Sequence, residues 1–212
     1  MKEESVNDEL FLAGKTLPLM EAFYTLQGEG FNTGQAAFFV RLGGCDVGCH
    51  WCDVKESWNA KLFPPTPTES IVKEVVKYPA KAVVVTGGEP LMYNLDYFCT
   101  ELKSQGVRRF LETSGAYPLS GEWEWICLSP KKNAPPLKSV YSMANELKVI
   151  ISNKGDLDWA EKNTRFVSPT CHLYLQPEWS KAEYMMPIIT EYVMAHPKWK
   201  ISLQSHKYMR IP

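Results

Sequence analysis

The chain lacks the features that would commit it to nucleic acid or to a membrane. Its 212 residues carry 23 Lys and Arg against 24 Asp and Glu, a formal net charge of −1. Without a basic excess there is no electrostatic footprint for a phosphate backbone. No run is long and apolar enough to span a bilayer. No repeat, low-complexity tract or linker divides the chain, so one domain over 1–212 is expected. The first residues, MKEESVNDEL, are polar and acidic and do not read as an export signal. A cytoplasmic, reducing setting is therefore expected. There, six cysteines argue for metal or reactive thiols rather than disulfides. Hydrophobic (45 %) and charged (22 %) contents are those of an ordinary globular protein.

Three of the cysteines, Cys45, Cys49 and Cys52, fall within eight residues. Soft thiolates so close in sequence suit an iron–sulfur cluster, zinc or copper(I). A closed structural site takes four protein ligands. Three ligands on a four-iron cluster leave one iron open to substrate. Gly43, Gly44 and Gly48 let the backbone fold around such an object. The blander readings are a zinc site completed by His50, or cysteines that only pack. Cys99, Cys127 and Cys171 stand in apolar surroundings and read as buried small hydrophobes.

Short apolar strands alternate with helices along the chain. Strands are expected over 17–26, 36–42, 82–86, 108–112, 123–128, 146–151, 172–175 and 200–203. Helices are expected over 94–104, 137–144, 157–162 and 182–195, the last kinked near Pro187. Thr66-Pro67-Thr68-Glu69 reads as a capping box with proline at the first helical position, opening a helix with Ile71, Val72, Val75 and Val76 on one face. Residues 1–17 read as a loose arm or edge element. The pattern predicts an α/β protein with a mainly parallel sheet. Ligand groups then gather at the carboxyl ends of the strands, where polar clusters recur after nearly every strand. As plain turns they would explain the Gly and Pro, but not so many Glu, Lys, Gln and His.

Thr86-Gly87-Gly88-Glu89-Pro90 follows the wholly apolar strand 82–86. Its glycines open the backbone to a ligand, and the Glu89 carboxylate suits an ammonium. Paired with the upstream Cys-x3-Cys-x2-Cys loop, in which Trp51 precedes the last cysteine, this turn resembles the Gly-Gly-Glu motif of the radical S-adenosylmethionine superfamily. Within that superfamily, Glu21 to Gly30 (EAFYTLQGEG), Arg41, Glu112-Thr113-Ser114-Gly115, Leu128 to Lys131, Gln176-Pro177-Glu178 and Gln204 to Lys207 together resemble the 7-carboxy-7-deazaguanine synthase family.

The resemblance, which runs from about Glu21 to Pro212, implies an incomplete TIM-like β/α barrel. About six mainly parallel strands and fewer helices are expected. It implies a 4Fe–4S cluster on Cys45, Cys49 and Cys52. S-adenosylmethionine would be held by Gly87, Gly88, Glu89, Ser114, Ser129, Pro130, Lys131, Gln176, Pro177, Glu178 and Trp179. A pterin substrate, 6-carboxy-5,6,7,8-tetrahydropterin, would meet Leu26, Gln27, Gly28, Glu29, Arg41, Thr86, His206 and the terminal Pro212. It also implies a homodimer and a flavodoxin or ferredoxin as reductant. The activity implied is that of a carbon–nitrogen lyase in queuosine and 7-deazapurine biosynthesis.

One position departs from the family pattern. A threonine that would give an oxygen to Mg2+ is replaced by Val54, leaving Asp53 as the hard oxygen ligand. Weak dependence on Mg2+ is expected. The competing reading is a glycyl-radical-enzyme activase, which acts on a protein. A non-catalytic zinc or cluster-binding module is a third.

Overall fold

Residues 8–212 are described here, in a computed structural model. Of the expected N-terminal arm, residues 1–7 lie outside the described part. Residues 8–12 form a helix, α1. The chain then enters a nine-stranded open sheet of order β3-β1-β2-β4-β5-β6-β7-β8-β9. β1 (Thr16–Leu26) is antiparallel to both β2 (Ala36–Leu42) and the three-residue β3 (Pro65–Pro67). From β2 onward every neighbouring pair is parallel. The strands are β4 (Ala82–Gly87), β5 (Arg108–Thr113), β6 (Trp125–Leu128), β7 (Glu146–Ile151), β8 (His172–Pro177) and β9 (Trp199–Ile201).

Among the described residues nine strands, seven of them mutually parallel, exceed the expected six or so. β3 escaped a sequence reading because two of its three residues are prolines. Proline is tolerated on an edge strand, where its missing N–H leaves no ladder bond broken, and β3 is the edge strand next to β1.

The helices are α2 (Thr68–Val75), α3 (Asp96–Ser104), α4 (Lys138–Met143), α5 (Gly155–Asn163), α6 (Ala182–Ala195) and α7 (Ser205–Met209). The capping box expected before α2 does not form. Pro67 occupies the N-cap, with no side-chain cap bond. Thr68 Oγ1 instead donates to Gly14 O at 2.7 Å, and Glu69 accepts the Tyr97 hydroxyl at 2.6 Å. Tertiary partners outcompeted the local motif. The residues of α2 that were expected inside, Ile71, Val72 and Val75, are buried.

Strand alternation sorts the side chains into two sets. Phe38, Val40, Leu42, Val83, Val85 and Leu111 pack with Ile71, Val75 and Phe98 on the outer, helix-covered face. Leu147, Val149, Ile151 and Leu175 continue that face against Val140, Leu157, Met185 and Ile189. The opposite residues of the same strands point to the inner face. Near the amino ends these are apolar: Ala37, Phe39, Val84 and Phe110. Towards the carboxyl ends the same alternation delivers Arg41, Thr86, Glu112, Lys148 and Gln176, all of which line one cavity. A helix-covered outer face with an apolar inner floor explains why Ala82–Val85 reads as a continuous hydrophobic run.

Candidate active site

The inner face holds a cleft with a cavity volume of about 290 Å3. Cys45, Cys49 and Cys52 line one side, half-buried. The loop that carries them is fixed by its neighbours. Tyr93 Oη donates to Gly43 O at 2.7 Å, the Tyr117 hydroxyl to the Asp46 carboxylate, and the Asn133 amide to Val47 O. Gly44 sits at φ 98°, a conformation that favours glycine. A Cβ on Gly88 would lie 2.1 Å from Gly44 O, and the Gly88 and Glu89 amides donate to Leu42 O and Gly44 O at 2.9 and 2.8 Å. The two motifs are thus laid directly on one another, which requires glycine at both places.

Burial pushes the Cys45 and Cys49 thiols up, and neighbouring negative charge adds to this. Converging sulfurs whose ionisation is opposed fit a cationic centre that would neutralise them. Among the described residues no three His, Cys, Asp or Glu side chains close on a single ion. The zinc site with His50 is therefore not assembled. A multi-iron cluster spreads its ligand sulfurs further apart than one ion does, and Cys45, Cys49 and Cys52 all face the one cavity.

Beside the cysteines lie Gly87, Gly88, Ser114, Ser129 and Lys131. Lys131 Nζ donates to Ser129 O and Oγ at 2.6 Å and stands 5.4 Å from the Trp51 ring centroid. Burial lowers its pKa. Two of the expected residues are placed differently from the rest. Pro130 is buried but is not among the residues lining the cavity, because its neighbours Ser129 and Lys131 face inward instead. The Glu89 carboxylate lines the cavity yet is already saturated. Oε1 accepts Leu91 N at 3.0 Å and Thr113 Oγ1 at 2.6 Å, while Oε2 accepts Ser114 N at 2.8 Å and Ser114 Oγ. Four donors fill a carboxylate's capacity. Glu89 therefore shapes the Gly88–Ser114 wall rather than offering a vacant oxygen. Gln176 and Glu178 are likewise engaged, by Ser202 Oγ at 2.7 Å and by Ser180 N and Oγ at 2.9 and 2.6 Å. Pro177 and Trp179 line the cavity, Trp179 at its half-exposed rim.

The far wall is built from the turn after β1 and the end of the chain. Leu26, Gln27, Gly28, Glu29, His206 and Pro212 all line the cavity. Ser205 N and Oγ both donate to Gly28 O at 2.9 Å, and Gly30 N donates to Ser202 Oγ at 2.9 Å. Arg41 uses Nε for Glu21 at 2.5 Å, which leaves its terminal nitrogens for the cavity. Burial lowers the pKa of His206, which disfavours its charged form.

Glu112, Lys148 and Gln204 also line this wall; Glu112 and Gln204 stand in motifs that carry the family resemblance, but none of the three was assigned a place in the site from the sequence. The signal was faint: a lone lysine inside the apolar strand Glu146–Ile151, and a glutamate closing β5. Lys148 Nζ lies 2.5 Å from Glu29 Oε2 and 3.4 Å from Glu112 Oε2. Burial disfavours its charge, but the carboxylates of Glu112, Glu29 and Glu146 more than offset that and raise its pKa well above the usual lysine range. The same lysine pulls Glu29 down to about 2 against the opposing effect of burial.

Magnesium is different. Asp53 lines the cavity, but its carboxylate accepts Lys207 Nζ at 3.2 Å and its side chain is 59 % exposed. Val54 beside it has no side-chain oxygen. The side chains present do not build a Mg2+ site.

Known proteins with this arrangement are close at hand. The Radical SAM superfamily model matches residues 39–129, from β2 through Ser129. A 7-carboxy-7-deazaguanine synthase of Flavobacterium psychrophilum is 58 % identical over 199 residues, 94 % of either chain. The chain belongs to the 7-carboxy-7-deazaguanine synthase family. Its Synechocystis relative is 50 % identical over 92 % of this chain and 93 % of its own. The crystal structure of QueE from Escherichia coli superposes with a TM-score of 0.82 at 28 % identity, over 94 % of this chain and 98 % of that one. The open, mostly parallel sheet is thus the incomplete barrel of this family. As a radical SAM family member, the chain has a 4Fe–4S cluster and S-adenosylmethionine as its cofactors.

Proposed function

We propose that the chain converts 6-carboxy-5,6,7,8-tetrahydropterin into 7-carboxy-7-deazaguanine and ammonia, as a carbon–nitrogen lyase. The observation that carries this is the convergence, in one cavity, of Cys45, Cys49 and Cys52, the Gly87-Gly88 turn, and the wall made by Gln27 to Glu29 with Pro212. When bound, the cluster and S-adenosylmethionine supply a 5′-deoxyadenosyl radical able to take hydrogen from carbon.

The chain's own residues do the rest. Cys45, Cys49 and Cys52 hold the cluster. Gly88 and Ser114, set by Glu89, present backbone and hydroxyl groups to S-adenosylmethionine, with Ser129, Lys131 and the Gln176–Trp179 segment completing its wall. The terminal nitrogens of Arg41 grip the 6-carboxylate in a fork. Gln27, Glu29 and Glu112 accept from the amino-pyrimidinone edge, which is rich in donors, and Pro212 lines the wall beside them. Asp53 is tied to Lys207, so Mg2+ takes at most a minor part. The protein acts as a single domain in the cytoplasm, as a homodimer reduced by a flavodoxin or ferredoxin.

Reductive cleavage of S-adenosylmethionine tests this reading against a protein-directed activase. In the ring contraction the hydrogen taken from the pterin would be given back to the contracted product, so S-adenosylmethionine would act catalytically and not be consumed. Adding the pterin to the reconstituted, reduced protein should therefore suppress build-up of 5′-deoxyadenosine. Build-up indifferent to the pterin would overturn the proposal and favour the activase.

A further inference from the structure

We infer that Lys148 is a positioning residue for substrate recognition: it holds Glu29 and Glu112 together as a pair of carboxylates facing the amino-pyrimidinone edge of the pterin. The inference rests on the pterin reading and goes beyond it, since Lys148 itself need not touch substrate.

The geometry is a cradle. Lys148, 4 % exposed, projects from the third position of β7 between Glu29 of the β1–β2 turn and Glu112 of β5. Each carboxylate gives one oxygen to the lysine and the other to an amide. Gln204 Nε2 donates to Glu29 Oε1 at 2.9 Å, and Gln27 Nε2 to Glu112 Oε1 at 2.7 Å. Each oxygen keeps acceptor capacity beyond these bonds, and both residues face the cavity. Two carboxylates that share one lysine face each other across it, and removing that cation disfavours their being charged together. One would take a proton and become a donor, mismatched to the donor groups of the pterin.

Stability alone is a poor reason for this arrangement. A buried ion pair generally gains little over apolar side chains of the same volume. The groups facing Lys148 are Glu29, Glu112, Cys127 and Glu146, with His206 and Lys131 further along the cavity. Cys127 is pushed far up by burial and stays a thiol, and burial likewise raises Glu146. Glu146 accepts instead from Phe31 N and Trp125 Nε1, so Glu29 and Glu112 are the carboxylates bonded to the lysine.

The test compares K148M and K148R with the wild type in anaerobic turnover of 6-carboxytetrahydropterin. If the wild type yields no 7-carboxy-7-deazaguanine, the pterin reading fails and the inference with it. With product established, K148M should keep its iron content and its KM for S-adenosylmethionine, while its KM for the pterin rises about tenfold or more. That rise should steepen as pH falls from about 8 to about 6, because an unshielded carboxylate then protonates. K148R, which keeps the charge, should recover most of the affinity. A pterin KM within twofold of wild type in K148M overturns the inference and leaves the pterin reading standing. Should K148M not fold, the wild type decides. The carboxylate pair predicts far stronger inhibition by 6-carboxypterin than by 6-carboxylumazine, which lacks the 2-amino group, and equal inhibition overturns it.

Discussion

His206 lies directly against Gly28: a methyl group on that glycine would come within 2.1 Å of the ring Nδ1. Together with the two bonds from Ser205 to Gly28 O, this contact seats the end of the chain on the turn after β1. Gly28→Ala should therefore unseat α7. The expected cost is about 1–3 kcal/mol of stability, as for other overpacked sites, with a raised KM for the pterin. Adding His206→Ala should return part of the lost stability. A G28A protein with unchanged melting temperature would show that the two do not press on each other.

Pro212 lines the cavity beside Gln27, Gly28 and Glu29. Deleting it should raise the KM for the pterin while iron content and S-adenosylmethionine cleavage persist. An unchanged KM would remove the chain end from the site.

Glu89→Gln separates shaping from direct binding. The amide nitrogen would face a hydroxyl or N–H donor that now gives to an oxygen, whichever way the side chain turns. Leaving such a group unpaired costs about 1–3 kcal/mol. A lower melting temperature and weaker S-adenosylmethionine binding should appear together, because Ser114 loses its anchor. Weaker binding at full stability would instead assign Glu89 a direct contact.

Magnesium should matter little. With Val54 lacking an oxygen and Asp53 paired to Lys207, removing Mg2+ with a chelator should lower turnover by less than about twofold, a small loss on the free-energy scale. Asp53→Asn should be similarly mild. A strict Mg2+ requirement would contradict this.

Much of this was legible in the sequence because it rests on short apolar runs and glycine. The apolar runs of β2 (AAFFVRL) and β4 announced strands, and the bounds of Ala36–Leu42 and Glu146–Ile151 came out as read. Apart from Pro130, the site residues chosen from motifs all line the one cavity. What stayed hidden depends on partners far away in sequence. Glu89 looked like a vacant carboxylate because nothing local reveals Thr113 and Ser114, 24 and 25 residues on. Lys148 and Glu112 meet Glu29 only through the strand register. The end of the chain read as a polar cluster after β9, yet Ser205–Met209 is a short helix, held by contact with Gly28 more than by any intrinsic propensity.

The most direct measurement is product analysis by mass spectrometry. The protein is reconstituted with iron and sulfide, reduced with dithionite under anaerobic conditions, and supplied with S-adenosylmethionine and 6-carboxytetrahydropterin. The account predicts 7-carboxy-7-deazaguanine, formed over many turnovers per S-adenosylmethionine and lost when any of Cys45, Cys49 or Cys52 is changed to serine. Formation of 5′-deoxyadenosine with no 7-carboxy-7-deazaguanine would contradict it.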